Sequence, residues 1–267
     1  MGSNGLGNPD RPARCATMNP FDLSGRRFLV TGASSGIGRA TAVLISQLGG
    51  KLVAMGRDES KLAALRDELQ GDAHVIATRD LSSVVDLPMW LHELGQSHGV
   101  LHGMVHSAGV NVPQPLRALT TQDYLAMNAI NVDAGVMLAK GFCHKSVSAR
   151  PASIVFISSV AALRGQPSLA AYASGKGALI ALTKTLAMEL ARENIRVNCV
   201  CPGFVEGPMA DSARRILPPD AYRKLQGAYP LGFGTPLDVA YSIAFLLADT
   251  SRWITGTSLV VDGGYSA

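Results

Sequence analysis

Tyr172 and Lys176 stand four residues apart in AAYASGKGAL, residues 170–179. In a helix that spacing puts both side chains on one face, one turn apart. A tyrosine hydroxyl in water keeps its proton to about pH 10. An ammonium one turn away stabilises the phenolate and lowers that value, bringing the hydroxyl toward the working range of a general acid or base. Ser159 ends the apolar run SIVFISS thirteen residues before Tyr172, and its hydroxyl can hold an oxygen on which negative charge develops. Strand alternation points its neighbour Ser158 the other way. The three groups suit proton transfer at a carbonyl or alcohol oxygen. Tyr172 and Lys176 alone would also fit an ordinary surface helix pair.

A second chemical feature is TGASSGIG, residues 31–38, which follows an apolar run and opens a helical pattern. Gly32 permits a tight turn, Gly36 lets a ligand approach the backbone, and Gly38 lets helix and sheet pack closely. A helix N-terminus offers free N–H groups and partial positive charge, which suits a pyrophosphate. The candidate cradle is Gly32, Ser34, Ser35, Gly36, Ile37 and Gly38. A glycine-rich turn without a ligand is the plain alternative; the strand-to-helix context favours the cradle.

Positioning these groups requires a scaffold. Apolar runs of strand length occur at 27–32, 51–56, 73–78, 101–109, 153–159, 195–203 and 257–264. Several are continuous, as expected of strands covered on both faces. Helical patterns lie between them, at 37–48, 59–70, 83–96, 121–146, 173–193 and 236–248. The expected architecture is α/β: one doubly wound parallel sheet, Rossmann-like, with helices on both faces. Ligands bind beyond the carboxyl ends of such strands, so the glycine loop, Ser159 and Pro202-Gly203 should converge. Residues 1–20 read as a loose tail and 21–267 as the single domain. Within it, 204–235 is a proline-marked insertion with two short helical pieces, placed as a substrate lid.

The glycine loop, Ser159, Tyr172 and Lys176 together resemble the short-chain dehydrogenase/reductase family, with its Thr-Gly-x-x-x-Gly-x-Gly loop and Tyr-x-x-x-Lys pair. The likeness runs over residues 21–267 and is nearest the single-domain 3-oxoacyl-carrier-protein reductase type. It implies an NAD(P)-dependent oxidoreductase. Tyr172 would protonate the substrate oxygen, Ser159 hold it, and Lys176 lower the tyrosine pKa and bind the nicotinamide ribose. Asn131, in NAINVDAG, matches the asparagine of the family's fourth helix, which helps anchor a water-mediated proton path. Ala108 and Gly109 would pass the cofactor; Asp80 and Leu81, and Pro202, Gly203 and Val205, would contact it. Asp80 could equally cap a helix. Related enzymes pair the Tyr172 helix between subunits, and the small residues Ala173, Gly177 and Ala181 permit a close approach. The expected assembly is a homotetramer, with a dimer second.

Two departures from the family pattern stand out. His106-Ser107 replaces Asn-Asn before Ala108-Gly109, and His106 reads as a structural histidine rather than a base. Gly207 stands where the family has threonine, so no hydroxyl is available there. After the second strand, Gly56 occupies the place of an NAD enzyme's acidic residue. It is expected to leave room, with Arg57 pairing a 2′-phosphate; NADP is therefore expected in preference to NAD. Asp58 fits a helix cap.

Composition excludes other classes. The 267 residues are 47% hydrophobic and 16% charged, which argues for a sizeable core and against disorder. Net charge is +4 with pI near 9.0, but the basic residues are dispersed, so nucleic-acid binding is not expected. No apolar run reaches the ~20 residues of a membrane helix, and no secretory h-region is present. Cys15, Cys143, Cys199 and Cys201 lack metal or redox spacing. Free thiols and a cytoplasmic protein without a metal are expected. The remaining reading is a non-catalytic nucleotide-binding or assembly protein on the same fold.

Overall fold

The computed structural model describes residues 19–267; residues 1–18, including most of the expected tail and Cys15, lie outside it. Seven strands form one sheet: β1 (Arg27–Thr31), β2 (Lys51–Gly56), β3 (Val75–Thr78), β4 (Leu101–His106), β5 (Ser148–Ile157), β6 (Ile195–Pro202) and β7 (Ser258–Val261). Their spatial order is β3-β2-β1-β4-β5-β6-β7, and every pair is parallel. The order reverses between β1 and β4, the switch point at which open α/β sheets hold their ligands.

The continuous apolar runs have a direct cause. Side chains alternate between two faces, and both faces are covered. Phe28, Val30, Leu52 and Ala54 enter one core with Val239, Ile243 and Leu246. Leu29, Val53 and Met55 enter the other with Leu138, Phe142 and Leu179. The first face packs on α1 (Gly36–Gln47), α2 (Glu59–Arg66) and α9 (Pro236–Leu247). The second packs on α3 (Leu87–His98), α5 (Ala134–Phe142) and α6 (Ala170–Leu190). Asp58 is the N-cap of α2 and accepts from Lys61 N at 3.0 Å, which fits the cap reading.

The expected helix 121–146 is broken. α4 (Thr121–Asn128) passes into a π-helical turn over Ala129–Asp133 before α5 begins. The insertion 204–235 holds α7 (Pro208–Ile216) and α8 (Pro219–Gly227). Its two ends meet: Val205 bridges Gly234, Glu206 N donates to Gly234 O at 2.8 Å, and Gly234 N donates to Phe204 O at 3.0 Å. Among the described residues, no helix is long and apolar enough to cross a membrane.

Candidate active site

The strand register brings the site together. Thr31 pairs His106, His106 pairs Phe156, and Phe156 pairs Cys199. The four carboxyl ends therefore finish in one row. The glycine loop, Ala108-Gly109, Ser158-Ser159 and Pro202-Gly203 emerge side by side, as the sequence implied.

At the first exit, a Cβ on Gly32 (φ +68°) would lie 2.9 Å from Ala108 Cα, and one on Gly38 only 2.3 Å from Gly32 O. These two glycines let the turn fold over the sheet and the helix seat against the turn. Gly36 differs: at φ +53° it has open space where a Cβ would point. α1 starts there behind Ser35, whose side chain caps nothing, and its first turn has no acidic residue. Free N–H groups, open space and absence of negative charge fit a pyrophosphate. Gly207, also at positive φ, lies across from Gly36, with its Cβ position 3.9 Å from Gly36 Cα.

The adenosine side differs from expectation at one residue. Gly56 does not leave room: a Cβ there would stand 3.2 Å from Ser34 and 3.3 Å from Leu62. Ser34 of the glycine loop already covers the end of β2, so a carboxylate at this position would have to displace it. Arg57 is exposed, and its charge helps hold the Asp80 carboxyl below the usual range, after the larger effect of the Ser82 backbone hydrogen bond. Asp80 accepts from Ser82 N at 2.9 Å. It closes a turn and caps no helix, since α3 starts only at Leu87. Leu81 is buried beneath it.

At the β5 exit, Ser159 is extended and half-buried, and its Oγ accepts from Ala161 N at 3.1 Å, leaving its O–H to donate. Ser158 does point away: it is buried and donates to Lys176 O at 2.7 Å. Lys176 is no surface residue. Its side chain is 4% exposed, Nζ donates to Ile157 O at 2.8 Å, and Nζ lies 5.6 Å from the Tyr172 ring centroid. Burial lowers its pKa to about 8. Burial also pushes Tyr172 up to about 12, with the Ser159 hydroxyl acting the other way. That sign reverses the expected lowering of the tyrosine: in the chain by itself, desolvation outweighs the lysine, which approaches the ring rather than the hydroxyl.

Asn131 sits fully buried in the π-helical turn. Its Oδ1 accepts from Val110 N at 2.8 Å and its Nδ2 donates to Val110 O at 2.9 Å. A Cβ on Gly109 would come 3.1 Å from Asn131 Oδ1 and 3.2 Å from Lys176 Nζ, so the glycine lets this loop run between them. His106 is fully buried, with Nδ1 3.1 Å from Thr31 Oγ1 and Nε2 3.2 Å from Ile130 O. A carbonyl only accepts, so Nε2 carries the proton and Nδ1 accepts from Thr31. Thr31 Oγ1 in turn accepts from Ala108 N at 3.0 Å. Burial, then the Lys176 charge, depress the His106 pKa to about 4. The ring is a neutral strut between β1, β4 and the turn that carries Asn131.

Sequence reading missed several groups. Tyr265, near the C-terminus, stacks on Tyr229 at 4.4 Å and meets Arg164 and Gln166 of the loop leading to α6. Asn111 and Gln114 follow the β4 exit with buried, unpartnered oxygens. Nothing in residue type or spacing signals either arrangement. Val205 and Pro202-Gly203 lie at the β6 exit as expected, where Gly203 N donates to Val261 O at 3.0 Å.

A seven-stranded parallel sheet in this order, with a glycine turn at its switch point, defines the doubly wound dinucleotide-binding oxidoreductases. A family model described as enoyl-(acyl carrier protein) reductase matches residues 32–266. The chain is 34% identical to a 3-oxoacyl-(acyl-carrier-protein) reductase of Thermotoga maritima, over 91% of this chain and 98% of that protein. It is 36% identical to a glucose 1-dehydrogenase of Gluconobacter oxydans, over 91% and 92%. Among solved structures, one described as an NAD(P)-dependent gluconate 5-dehydrogenase of Beutenbergia cavernae, with bound NADP, superposes with TM-score 0.84 at 28% identity, covering 92% of this chain and 99% of that one. The chain belongs to the short-chain dehydrogenase/reductase family.

Proposed function

We propose that the chain is an NADP-dependent oxidoreductase that interconverts a carbonyl compound and its secondary alcohol, with Tyr172 as the proton donor and acceptor. The observation that carries this reading is the buried Lys176 ammonium, held by Ile157 O beneath the Tyr172 ring at the strand exits. A charged group is not buried there for stability alone. When bound, the nicotinamide supplies the hydride and, once oxidised, a positive charge. Ser159 donates to the substrate oxygen and aligns it. Tyr172 keeps its proton firmly at neutral pH and releases it to the oxygen as negative charge develops there. Lys176 uses one N–H on Ile157 and keeps two for the cofactor ribose and the proton route. Asn131 shapes that route by holding Val110 and, with it, Gly109 against Lys176.

The glycine loop, Ala108-Gly109 and Pro202, Gly203 and Val205 are assigned to the cofactor, with Leu81 and Asp80 at the adenine. Arg57 favours the 2′-phosphate of NADP, and Ser34 over Gly56 disfavours an acidic residue for NAD. The relatives divide between acyl thioesters and sugars, and both classes are carbonyl or alcohol substrates. The test is a panel of ketones, 3-oxoacyl thioesters and sugars with NADPH and NADH. A folded protein that binds NADPH and turns over none of them would return the chain to the non-catalytic nucleotide-binding reading.

We assign residues 204–235 as a substrate lid. α8 has no buried residue and α7 only Ala210, while the neck at Val205 and Gly234 is pinned. Amide exchange in α7 and α8 should slow when cofactor and substrate bind; equal exchange in both states would make the segment scaffold. We also infer a homotetramer in the cytoplasm. β7 is an open sheet edge carrying Val260 at 40% exposure, near Trp253 at 92%, and Met188 on α6 is 82% exposed. The stripe of Ala173, Gly177 and Ala181 on α6 faces outward, with nothing within 4 Å of a Cβ on Gly177. A stable monomer in light scattering at micromolar concentration would refute this assembly.

A further inference from the structure

The loop leaving β4 carries two side chains that the catalytic reading leaves unused. Asn111 Oδ1 and Gln114 Oε1 are both closed off from solvent, with no donor against either. Buried acceptors are nearly always paired, and two orphans in one short loop ask for an explanation. Gln114 is not free to turn and correct this. Its Nε2 donates to Asp123 Oδ2 at 3.3 Å, which directs Oε1 to the opposite side. The loop is anchored at both ends. Val110 is clamped by both halves of the Asn131 amide. Gln114 N donates to Ser168 O at 2.8 Å. Ser168 is held at φ 66°, a left-handed backbone that serine seldom adopts, four residues before Tyr172. The loop therefore runs from beside Lys176 to the entry of α6, along the side from which a substrate reaches Tyr172.

We infer that Asn111 and Gln114 form a hydroxyl-reading subsite, accepting hydrogen bonds from hydroxyl groups on carbons next to the reacting one. The subsite selects a polyhydroxylated substrate over a plain acyl chain. This inference rests on the oxidoreductase reading above. Two neutral acceptors match neutral donors. An ammonium group would call for a carboxylate, and Asp123 Oδ2 is already shared by Gln114 and Thr120 Oγ1. An unsubstituted acyl chain has no donor to offer and would leave both oxygens orphaned. A site built to bond a substrate hydroxyl rejects the analogue that lacks it.

The test compares NADP-linked oxidation of sorbitol, gluconate and 2-hexanol, and NADPH-linked reduction of an acetoacetyl thioester, by the full chain. At least one hydroxylated compound should exceed 2-hexanol and the thioester in kcat/KM by about a hundredfold or more. Gln114→Leu and Asn111→Leu should each lower kcat/KM for that compound about tenfold or more, chiefly through KM. Turnover of 2-hexanol and the Kd for NADPH should stay unchanged in both variants. Efficient use of the thioester or 2-hexanol, with the hydroxylated compounds inert, would overturn the subsite and leave the oxidoreductase reading standing. Equal losses on hydroxylated and plain substrates would also overturn it, making the two amides scaffold. Turnover of none of the four by a protein that binds NADPH would overturn both readings.

Discussion

Replacing Lys176 by methionine should stabilise the protein at neutral pH while abolishing its activity. Lys176 is 4% exposed, and burial brings its pKa from 10.5 to about 8. At about 1.4 kcal/mol per pH unit, holding the ammonium in the folded chain at neutral pH costs about 3 kcal/mol. Methionine matches the length of the stem and fills the same channel without a charge. It forfeits the hydrogen bond to Ile157 O, worth about 1 kcal/mol, so a net gain of about 2 kcal/mol is expected near pH 7. The sign of the pH dependence isolates the cause. Below about pH 8 both folded and unfolded wild type carry the proton, and the cost is complete. Between about 8 and 10.5 the unfolded chain holds a proton that the folded chain has lost, so wild-type stability rises with pH. The variant lacks this rise. Its advantage should shrink by about 2 kcal/mol between about pH 8 and about pH 10. Urea unfolding of both proteins without cofactor, at one protein concentration because assembly contributes by mass action, gives the difference. A stability gap that does not change with pH would refute the idea that a buried ammonium is the source of the cost.

Tyr172→Phe keeps the ring against Lys176 and removes the donor, so turnover should fall by ~10² or more with NADPH binding retained; near-normal turnover would remove Tyr172 from the chemistry. Gly38→Ala places a methyl 2.3 Å from Gly32 O, a backbone atom with little freedom to move. It should destabilise by about 1–3 kcal/mol and weaken NADPH binding, and an unchanged Tm together with unchanged affinity would contradict the packing role given to this glycine. His106→Asn should flatten the acid limb of the stability curve. With a folded pKa of about 4 against 6.5, the unfolded wild type gains a proton between these values that the folded chain refuses, so wild type loses up to about 3 kcal/mol as pH falls through that window. Parallel acid limbs in variant and wild type would show that His106 is not held neutral.

What could be read from the sequence was whatever one local stretch determines. TGASSGIG and the Tyr-x-x-x-Lys spacing carry their geometry within eight residues or fewer. The strand runs are visible because both faces of each central strand are buried, which makes them apolar throughout. The break in the fourth helical pattern was hidden for the opposite reason. Residues 121–146 keep helical spacing, and the π turn at Ala129–Asp133 coincides with Asn131 meeting Val110, 21 residues earlier in the chain. The tyrosine pKa shows the same limit. Spacing at i and i+4 predicts that an ammonium acts on a phenol, but the sign depends on how much water each has lost, a property of the whole β5–α6 junction.

Gly56 and Gly207 show how the same residue type can mean different things at different points of one site. At Gly56 the missing Cβ makes way for Ser34, so the glycine closes the end of β2. Gly207 is held at φ +134°, a conformation strained for any side chain, and its face toward Gly36 keeps only a distant neighbour at 3.9 Å. There the glycine opens a gap between the lid's first residues and the glycine loop. The threonine that the family places at this point would direct a hydroxyl toward the cofactor. With glycine, the cofactor is gripped chiefly from the β1 and β4 side, and the 204–235 segment meets it with backbone only. Such a lid can close on the bound cofactor while committing little side-chain affinity to it. Discrimination between substrates then falls to the rigid side of the cleft, the loop from Gly109 to Gln114 that Asn131 and Ser168 hold in place.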